Sequence, residues 1–410
     1  MASLSTNAPQ EVDISVNVND TPPVHKPARN TRPRNRRDLV RSAAAKLIFD
    51  QGYSHVSMSN VADAVNVTPS ALYRHYPSKA ALLFDVVEHG IKAVDVMLET
   101  VDPADTGRVI ERLAESVLDY RYVPVLWQRE SRNLPDSERA KLTEQVSSTL
   151  RSISAVIRAY RPELPPPQID LLASCLLSAP ASISFHRASM PRPQYHALLV
   201  DLAWRVITFV PVDEVEPTSP IRTTEGSKPL SRAEELVDAA VILFAGRGYA
   251  SVTVDDIGAA VGMAGPSVYN HVESKSDLLS KAMYRGHEEL RVAMTSASAD
   301  HVDPRLALRQ ISDSYVDLAI DQSAMIATLI AESSHLDDGT RRDIHATQRR
   351  YIDEWIEVAR ADGRDETWTT TRVKVQAAQV VANSFGRTPH LHSVPNFRAS
   401  LRELCWTLQM

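Results

Sequence analysis

The chain of 410 residues repeats itself internally, and this repeat restricts the possible folds more than any other feature. A shift of 196 positions aligns Arg36–Leu83 with Arg232–Leu279 without a gap, and 15 of the 48 aligned positions are identical. Chance at this composition gives roughly three to five identities. A weaker match continues downstream, where Glu130-Ser131 corresponds to Glu332-Ser333. We therefore expect two similar halves, each with an N-terminal module followed by a longer body.

Each repeated module has the pattern of three short helices. Ser57 and Thr253 are placed to cap a second helix through their hydroxyls, and Gly52 and Gly248, before them, are placed to end the first. The first helix of the first copy has apolar residues at helical spacing, at Val40, Ala43, Ala44, Leu47 and Ile48.

The turn that follows the second helix predicts the function of the module. Asn66 and Gly262 are residue types that tolerate a positive φ, and Thr68-Pro69 then begins a third helix with a cap and an N1 proline. Two short helices joined by such a turn predict a helix-turn-helix, whose second helix enters the major groove of DNA.

Periodicity in the rest of the chain is also helical, and the low glycine and aromatic content favours helix over sheet, so the predicted fold class is all-α. The predicted domains are a disordered basic arm at 1–35, a helix-turn-helix domain at 36–83, a helical ligand-binding and dimerisation body at 84–210, a linker at 211–230, a second helix-turn-helix domain at 231–279 and a second body at 280–410.

The motifs of both modules resemble the N-terminal signature of the TetR family of transcriptional regulators. The motifs that carry the resemblance are Gly52-Tyr53, Ser57–Val65, Leu72–Tyr76 and Ser78–Leu83 in the first copy, and Gly248-Tyr249, Thr253–Val261, Val268–His271 and Ser274–Leu279 in the second. The resemblance implies three DNA-binding helices per unit, a body that holds a small hydrophobic effector, and a dimerising four-helix bundle. It also implies that the effector releases the DNA.

Two further resemblances concern the kind of regulator. The stretch Leu126–Pro135 is similar to regulators of lipid and sterol metabolism in actinobacteria, and the tandem two-repeat architecture resembles a mycobacterial repressor of a lipid-import (mammalian-cell-entry type) operon. They imply a lipid, a sterol or an acyl-CoA-like molecule as the effector.

Several polar side chains of the modules are candidates for contact with DNA. Arg74 has a guanidinium fork that suits guanine or phosphate, Thr68 and Ser70 lie at a helix N-terminus, and Lys79 begins the fourth helix, where we expect a phosphate contact. For His75 a packed ring near Tyr76 is as good an interpretation. The full set is Arg34, Arg36, Arg37, Ser57, Thr68, Ser70, Ala71, Tyr73, Arg74, His75 and Lys79 in the first copy, and Thr253, Gly265, Ser267, Tyr269, Asn270, His271 and Lys275 in the second.

The two modules differ in charge, although the whole chain carries a net charge of −6. Residues 36–83 contain six basic and three acidic residues, and residues 232–279 contain three basic and seven acidic residues. The second copy also has Ala264 in place of Thr68 and Asn270 in place of Arg74. Because neutralisation of phosphate supplies much of the affinity for DNA, we expect the first module to bind better. The second module reads a different half-site, binds weakly or serves as a partner surface.

The bodies contain no motif of an enzyme, a cofactor site or a metal site. Trp127, Phe185, Trp355 and Phe385 are candidates for contact with the effector, with an ordinary core position as the alternative for each. His390-x-His392 has a metal-like spacing without supporting ligands, and Cys175 and Cys405 are expected to be buried reduced thiols. Arg129 and Glu130 are expected to form a structural ion pair.

The expected partners are a double-stranded DNA operator and a small hydrophobic effector, without a membrane, in the cytoplasm. No apolar run is expected to span a bilayer, since Asp201 and Arg205 interrupt the best candidate. The terminal helices of the halves, Asp201–Phe209 and Arg402–Gln409, are expected to pack together as an internal pseudo-dimer, with a further homodimer as an open possibility. The alternative function is a protein-interaction module in which one or both helix-turn-helix units have lost DNA binding.

Overall fold

The computed structural model describes residues 36–212, 231–299, 303–361, 363, 365–386 and 388–410, and within these ranges every regular element is helical. The predicted all-α fold is confirmed. The arm with Arg34 and most of the linker, residues 213–230, lie outside the described residues.

The first half consists of a three-helix module, a connecting helix and a five-helix body. Its helices are α1 (Arg36–Gln51), α2 (Met58–Ala64), α3 (Pro69–Tyr73), α4 (Lys79–Thr100), α5 (Thr106–Asp119), α6 (Val123–Glu130), α7 (Asp136–Tyr160), α8 (Pro166–Ala181) and α9 (Arg192–Ile207). Short 3-10 turns lie at Tyr53–His55, Ser131–Asn133 and Ser182–Phe185.

The second half repeats this order of elements. Its helices are α10 (Arg232–Arg247), α11 (Val254–Ala260), α12 (Gly265–Val268), α13 (Lys275–Ala299), α14 (Pro304–Asp321), α15 (Ser323–Ala331), α16 (Asp338–Ala361), α17 (Trp368–Gly386) and α18 (Phe397–Gln409). The 3-10 turns are Tyr249–Ser251, Ser333–His335 and Pro389–Ser393.

Local capping explains where the helices of the modules begin and end. Ser57 and Asn60 form a reciprocal capping box at the start of α2, and Thr253 and Asp256 form the same box at the start of α11. Asn66 has φ 55° and Gly262 has φ 70°, as the turn prediction requires.

The glycines that end the first helices differ in detail from the prediction. Gly52 (φ 83°, ψ 149°) and Gly248 (φ 80°, ψ 145°) have a positive φ with an extended ψ, rather than the left-handed helical conformation expected of a C-cap. The next residues turn directly into a 3-10 helix, so the chain leaves α1 and α10 extended for one residue. Glycine is still required at this φ.

A second pair of repeated glycines sets how closely the connecting helices approach the bodies. A Cβ placed on Gly90 of α4 would lie 2.3 Å from Val123 Cγ2, and a Cβ on Gly286 of α13 would lie 3.0 Å from Met325 Sδ. The two positions correspond in the repeat. The crossing of α4 with α6, and of α13 with α15, therefore depends on the missing side chain.

The apolar core is divided unequally between the two modules. The first module forms its own cluster with α4 and α6, in which Leu72, Leu82 and Leu83 are buried, as the sequence predicted. The second module is continuous with the large core of both bodies. The first module is therefore the more independent unit of packing.

The two halves pack through the last two helices of each. α8 lies against α17 and α9 against α18, and Arg205 Nη1 donates to Thr407 O at 2.9 Å. Pro211 is buried, and the Val212 N–H donates to Ser400 Oγ at 3.0 Å, so the first two residues of the predicted linker are packed.

Among the described residues one helical stretch, Pro166–Phe185, is long and apolar enough to cross a membrane, which the sequence reasoning missed. Of its apolar window, 72% is buried inside the protein. Its place against α17 explains its apolar composition as that of a core helix.

Candidate nucleic-acid interface

The exposed face of α3 brings together several of the polar residues predicted for the first module. Thr68 caps α3 by accepting from the Ala71 N–H at 3.3 Å, and its hydroxyl lies 3.1 Å from Ser70 Oγ. Tyr73 is 50% exposed, and the Arg74 side chain is exposed and forms no hydrogen bond or ion pair with the described residues. This face therefore offers a hydroxyl pair, a phenol and an unpaired guanidinium to solvent.

His75 and Tyr76 separate in the structure. His75 is exposed, whereas Tyr76 is buried and donates to Asp85 Oδ2 at 2.7 Å. Burial and this hydrogen bond raise the pKa of Tyr76 to about 12. The packed-ring interpretation of His75 does not hold, because the side chain is exposed.

Asp85 also organises the basic start of α1. Arg37 Nη2 and Arg41 Nε each donate to its carboxylate at 2.6 Å. Burial alone would raise the pKa of Asp85, but the hydrogen bonds from Arg41, Tyr76 and Arg37 lower it. The Arg37 side chain remains 67% exposed, and Arg36 begins the helix beside it. Arg37 is thus oriented by Asp85 while its outer surface faces solvent.

Lys79 and Lys275 have a structural role that the sequence reasoning did not find. Lys79 Nζ donates to Tyr53 O at 2.7 Å and to Val56 O at 2.9 Å, and it lies 4.0 Å from the centroid of the Tyr53 ring. Lys275 makes the equivalent contacts with Tyr249 and its turn. Burial lowers the pKa of both ammonium groups. The repeat of a lysine twenty-six residues after a Gly-Tyr pair was the signal in the sequence.

The corresponding face of the second module lies on α12, which is shorter than α3 and has no side-chain cap. Ala264 provides no side-chain cap, and α12 spans only Gly265–Val268. Tyr269 is 57% exposed, Asn270 and His271 are exposed, and Ser267 is half-buried. The predicted residues are gathered here too, on a shorter and uncapped helix.

An acidic side chain lies at the start of the second recognition helix. A Cβ placed on Gly265 would lie 1.6 Å from Asp255 Oδ1, so the carboxylate occupies the space where a larger residue would stand. Ser59 is at the corresponding position of the first module. A carboxylate at this place repels a DNA phosphate, since the N-terminal turn of a helix otherwise attracts anions. One of the acidic residues that distinguish the second module therefore lies beside the start of α12.

The first module contacts its body through the segment around Glu130, which belongs to the weaker downstream match between the two halves. The Tyr53 N–H lies 3.4 Å from Glu130 Oε1, and Asn133 Nδ2 donates to Glu130 Oε2 at 2.9 Å. Burial raises the pKa of Glu130. The expected ion pair of Arg129 with Glu130 is not formed, because the carboxylate is turned toward the first module.

The same segment also links the two halves. Arg132 donates to Glu332, which is fully buried, and its Nη2 donates to Ala331 O at 3.2 Å. His335 Nδ1 lies 3.3 Å from Glu332 Oε2, and its ring packs on Tyr249 of the second module. In the alignment of the two halves, Arg132 of the first half corresponds to Ser334 of the second half. The contact between Arg132 and Glu332 is therefore not mirrored by an equivalent contact from Ser334.

The four candidate effector contacts are distributed over the cores. Trp355 and Phe385 are 1% and 0% exposed, and Trp355 Nε1 donates to Gln409 Oε1 at 2.9 Å. Trp127 and Phe185 are half-buried. Two concavities of the described residues lie along α16 and at the junction of the modules, and none of the four side chains lines either of these two.

The remaining candidates concern thiols and metals. Cys175 and Cys405 are buried and unbridged, and burial raises the pKa of both thiols. No group of three metal-ligating residues occurs in the described part of the chain. His392 Nε2 lies 2.9 Å from Phe385 O, and the side chain of His390 lies outside the described residues.

Comparison with known proteins places both modules in one class. Residues 40–86 and 236–282 each match the family model for bacterial regulatory proteins of the tetR family. The chain therefore contains two TetR-type N-terminal domains, one in each half.

The curated relatives match through this region. The nucleoid occlusion factor SlmA of Aliivibrio fischeri is 35% identical over 94 residues, which are 22% of this chain and 47% of that protein. The HTH-type transcriptional repressor KstR2 of Rhodococcus jostii is 32% identical over 106 residues, which are 26% of this chain and 52% of that protein. The chain thus spans about half the length of the curated relatives it matches.

Solved structures of the same class show similarity to part of the chain. A regulatory protein of the tetR family from Rhodococcus RHA1 matches with a TM-score of 0.38 and 23% identity, over 43% of this chain and 97% of that one. The ketosteroid transcriptional regulator KstR2 of Mycobacterium tuberculosis matches with a TM-score of 0.35 and 18% identity, over 40% and 93%.

Proposed function

We propose that the protein is a DNA-binding transcription regulator that acts as a repressor and is released from its operator by a small hydrophobic effector. The observation that carries the proposal is the exposed face of α3. Its cap is satisfied and its apolar side is buried, while Arg74 has no partner among the described residues. An unpaired guanidinium on a capped recognition helix suits a bidentate contact with a base or a phosphate.

The regulator reads DNA unequally with its two modules. Arg74 and the oriented Arg37 give the first module a basic face, whereas Asp255 and Asn270 give the second an acidic and a neutral residue. The first module supplies most of the phosphate contacts, with Ser57, Ala71 and Tyr73 in addition to Arg74, while the ammonium of Lys79 is engaged by two backbone carbonyls and stabilises the turn at Tyr53. The second module, with Thr253, Gly265 and Tyr269, reads a weaker half-site.

The packing of the two halves supports an internal pseudo-dimer. The contacts of α8 with α17 and of α9 with α18 join equivalent helices of the repeat, as a symmetric dimer of separate chains would. One chain then carries both reading heads and binds a site without palindromic symmetry.

The repressor role and the effector are proposed from similarity. The relative from Rhodococcus jostii is called a transcriptional repressor, and Leu126–Pro135 resembles regulators of lipid and sterol metabolism. A lipid, sterol or acyl-CoA-like effector is proposed on this basis.

The test is DNA binding by matched substitutions in the two modules. Fluorescence anisotropy with DNA from upstream of the gene is measured for Arg74→Ala, for Asn270→Ala and for Arg158→Ala, an exposed arginine of α7, as the control. Loss of a bidentate arginine contact is worth about 1–3 kcal/mol, so we expect Arg74→Ala to weaken binding by about 5- to 150-fold. Asn270→Ala is expected to have a smaller effect and the control none. Light scattering of the complex then gives the number of chains per site, which is one if the halves form a pseudo-dimer.

A second candidate function is a protein-interaction module, which the position of Asp255 over α12 favours for the second half. Absence of DNA binding in the native chain, or equal binding by all three variants, supports this alternative and contradicts the regulator.

A further inference from the structure

The two helix-turn-helix modules each meet the opposite half of the chain at an equivalent glycine. A Cβ placed on Gly248 would lie 2.7 Å from Arg132 Cδ, and a Cβ placed on Gly52 would lie 3.5 Å from Ser334 Cβ. Gly52 corresponds to Gly248 in the repeat, and Arg132 corresponds to Ser334. The two contacts are therefore related in the way that contacts across a two-fold axis are, and each joins a module of one half to the body of the other.

Both modules also border one small cavity. Its volume is about 20 Å³, and its walls include Tyr53 of the first module, Tyr249 of the second module, and Glu130 and His335 of the two bodies. The modules therefore approach each other here, with the same body residues between them. We call this region the module junction, and it consists of Gly52, Tyr53, Glu130, Arg132, Gly248, Tyr249, Glu332, Ser334 and His335.

A buried ion pair holds one side of the module junction. Arg132 donates to the carboxylate of Glu332, which is fully buried, and its Nη2 donates to Ala331 O at 3.2 Å. These bonds hold the aliphatic part of the Arg132 side chain against Gly248. Ser334 carries no charge, so the corresponding contact with Gly52 gains no ion pair from this position. The junction is thus similar in shape on its two sides and different in its charges.

Contacts inside each module connect the module junction to the recognition helix. In the first module the turn Tyr53–His55 lies at the junction, and Lys79 Nζ donates to Tyr53 O at 2.7 Å and to Val56 O at 2.9 Å. Lys275 holds the turn at Tyr249 in the same way. Both lysines begin the helix that follows the recognition helix. A module that is held at its turn is therefore also held at α3 or α12.

A fixed separation of the modules limits which DNA sites both can reach. Along B-DNA each base pair shifts the next half-site by about 3.4 Å and turns it by about 35° around the helix axis. Two added base pairs therefore move a half-site by about 7 Å and about 70°. Two modules that are fixed to each other cannot both follow such a change.

We propose that Arg132 is a positioning residue that fixes the separation of the two recognition helices and so restricts the regulator to operators with one half-site spacing. Arg132 acts through Gly248, against which it packs, and through Glu332, which holds it in place. The restriction on spacing rests on the proposed function, because it requires both modules to bind DNA. The rigid connection of the two modules does not depend on DNA binding.

Two matched pairs of substitutions separate the module junction from a general loss of charge. Arg132→Ser with Glu332→Gln, the junction variant, removes the buried ion pair and the side chain that packs on Gly248, and leaves no buried carboxylate without its arginine. Arg139→Ser with Asp136→Asn, the control variant, removes the same charges from a solvent-exposed pair of α7. Circular dichroism establishes that both are folded. If the junction variant does not fold, Arg132→Met with Glu332→Gln takes its place.

The connection of the modules is measured first, without DNA. Spin labels are attached to Asp63→Cys and Ala259→Cys, which are equivalent exposed positions of α2 and α11, and electron paramagnetic resonance gives the distances between them. Cys175 and Cys405 are buried and therefore remain unlabelled. We expect a single narrow distribution of distances in the parent chain and the control variant, and a wider distribution in the junction variant. An unchanged width in the junction variant overturns the proposal.

The spacing preference is then measured with DNA. Footprinting on DNA from upstream of the gene gives the protected sequence, and fluorescence anisotropy compares this duplex with duplexes that have one to four base pairs inserted at its centre. We expect two inserted base pairs to weaken binding by the native chain and the control variant about fivefold or more, as for the loss of a base contact, and binding by the junction variant by less than about twofold. A variant that is merely damaged loses the same factor on every duplex, so the ratio between duplexes does not change.

The outcomes distinguish the two proposals. Equal sensitivity of the native chain and the junction variant to inserted base pairs, or tolerance of the insertions by the native chain, overturns the role of Arg132 in spacing. If the native chain binds no duplex, while the junction variant has the wider distribution of label distances, the proposed function fails and the rigid connection of the modules stands.

Discussion

The ion pair between Arg132 and Glu332 gives the sharpest prediction about how the two halves are held together. Glu332 is 0% exposed, its carboxylate accepts from Arg132 of the other half, and its second oxygen lies 3.3 Å from His335 Nδ1 without a hydrogen bond. Arg132→Met keeps an aliphatic chain against Gly248 and removes the charge. The buried carboxylate is then left with His335 alone.

The size of the effect follows from burial. Removing one partner of a fully buried pair costs about 3–5 kcal/mol. Since the Arg132 side chain is 24% exposed and His335 remains, we expect about 2–3 kcal/mol of lost stability from this mechanism. Arg139→Met is the control, because Asp136, its partner, is 93% exposed and such pairs contribute about 0–1 kcal/mol.

Urea unfolding followed by circular dichroism measures the free energy of unfolding for both variants. Adding Glu332→Gln to Arg132→Met removes both charges and is expected to restore most of the loss, which a double-mutant cycle quantifies. The reasoning is refuted if Arg132→Met costs no more than Arg139→Met, or if the second substitution restores nothing.

Two further predictions concern the second body. Burial lowers the pKa of His287 to about 4, so the unfolded state, near 6.5, binds more protons between these values, and stability falls by up to about 3 kcal/mol as the pH drops from 6.5 to 4. His287→Gln should flatten the stability profile over this range, and an unchanged profile contradicts the assignment. Gly386→Ala places a Cβ 2.4 Å from Ala319 O and should cost about 1–3 kcal/mol, whereas Gly246→Ala, with no atom within 4 Å, should stabilise by about 0.5–1 kcal/mol; thermal unfolding of both variants checks the difference in sign.

The helix-turn-helix modules were predictable because the interactions that define them are local. The caps at Ser57, Thr68 and Thr253 join residues three positions apart, and the turn at Asn66 depends on one backbone angle. Helical periodicity likewise identified the buried side of α3. The exposed residues around Arg74 followed from the same pattern, because the residues that do not lie on the buried stripe of α3 face solvent.

Contacts over long separations were decided by the tertiary structure alone. Arg132 meets Glu332 over 200 positions, because the packing of α8 and α9 on α17 and α18 fixes how the halves face each other. Lys79 holds a turn instead of projecting freely, and although the lysine recurs at the same spacing in both copies, the sequence did not identify its two acceptors, which are backbone carbonyls.

The sequence by itself determined that the chain is a duplicated, all-helical protein with two TetR-type N-terminal modules of unequal charge. Which side chains lack a partner was decided only by the fold. Arg129 and Glu130 are neighbours in sequence and were expected to pair, but in the structure the carboxylate of Glu130 accepts from Tyr53 and Asn133, and Arg129 forms no ion pair with a described residue. The physical reason is that the charge environment of a buried group is set by helices that are distant in the chain, and no local pattern records their approach.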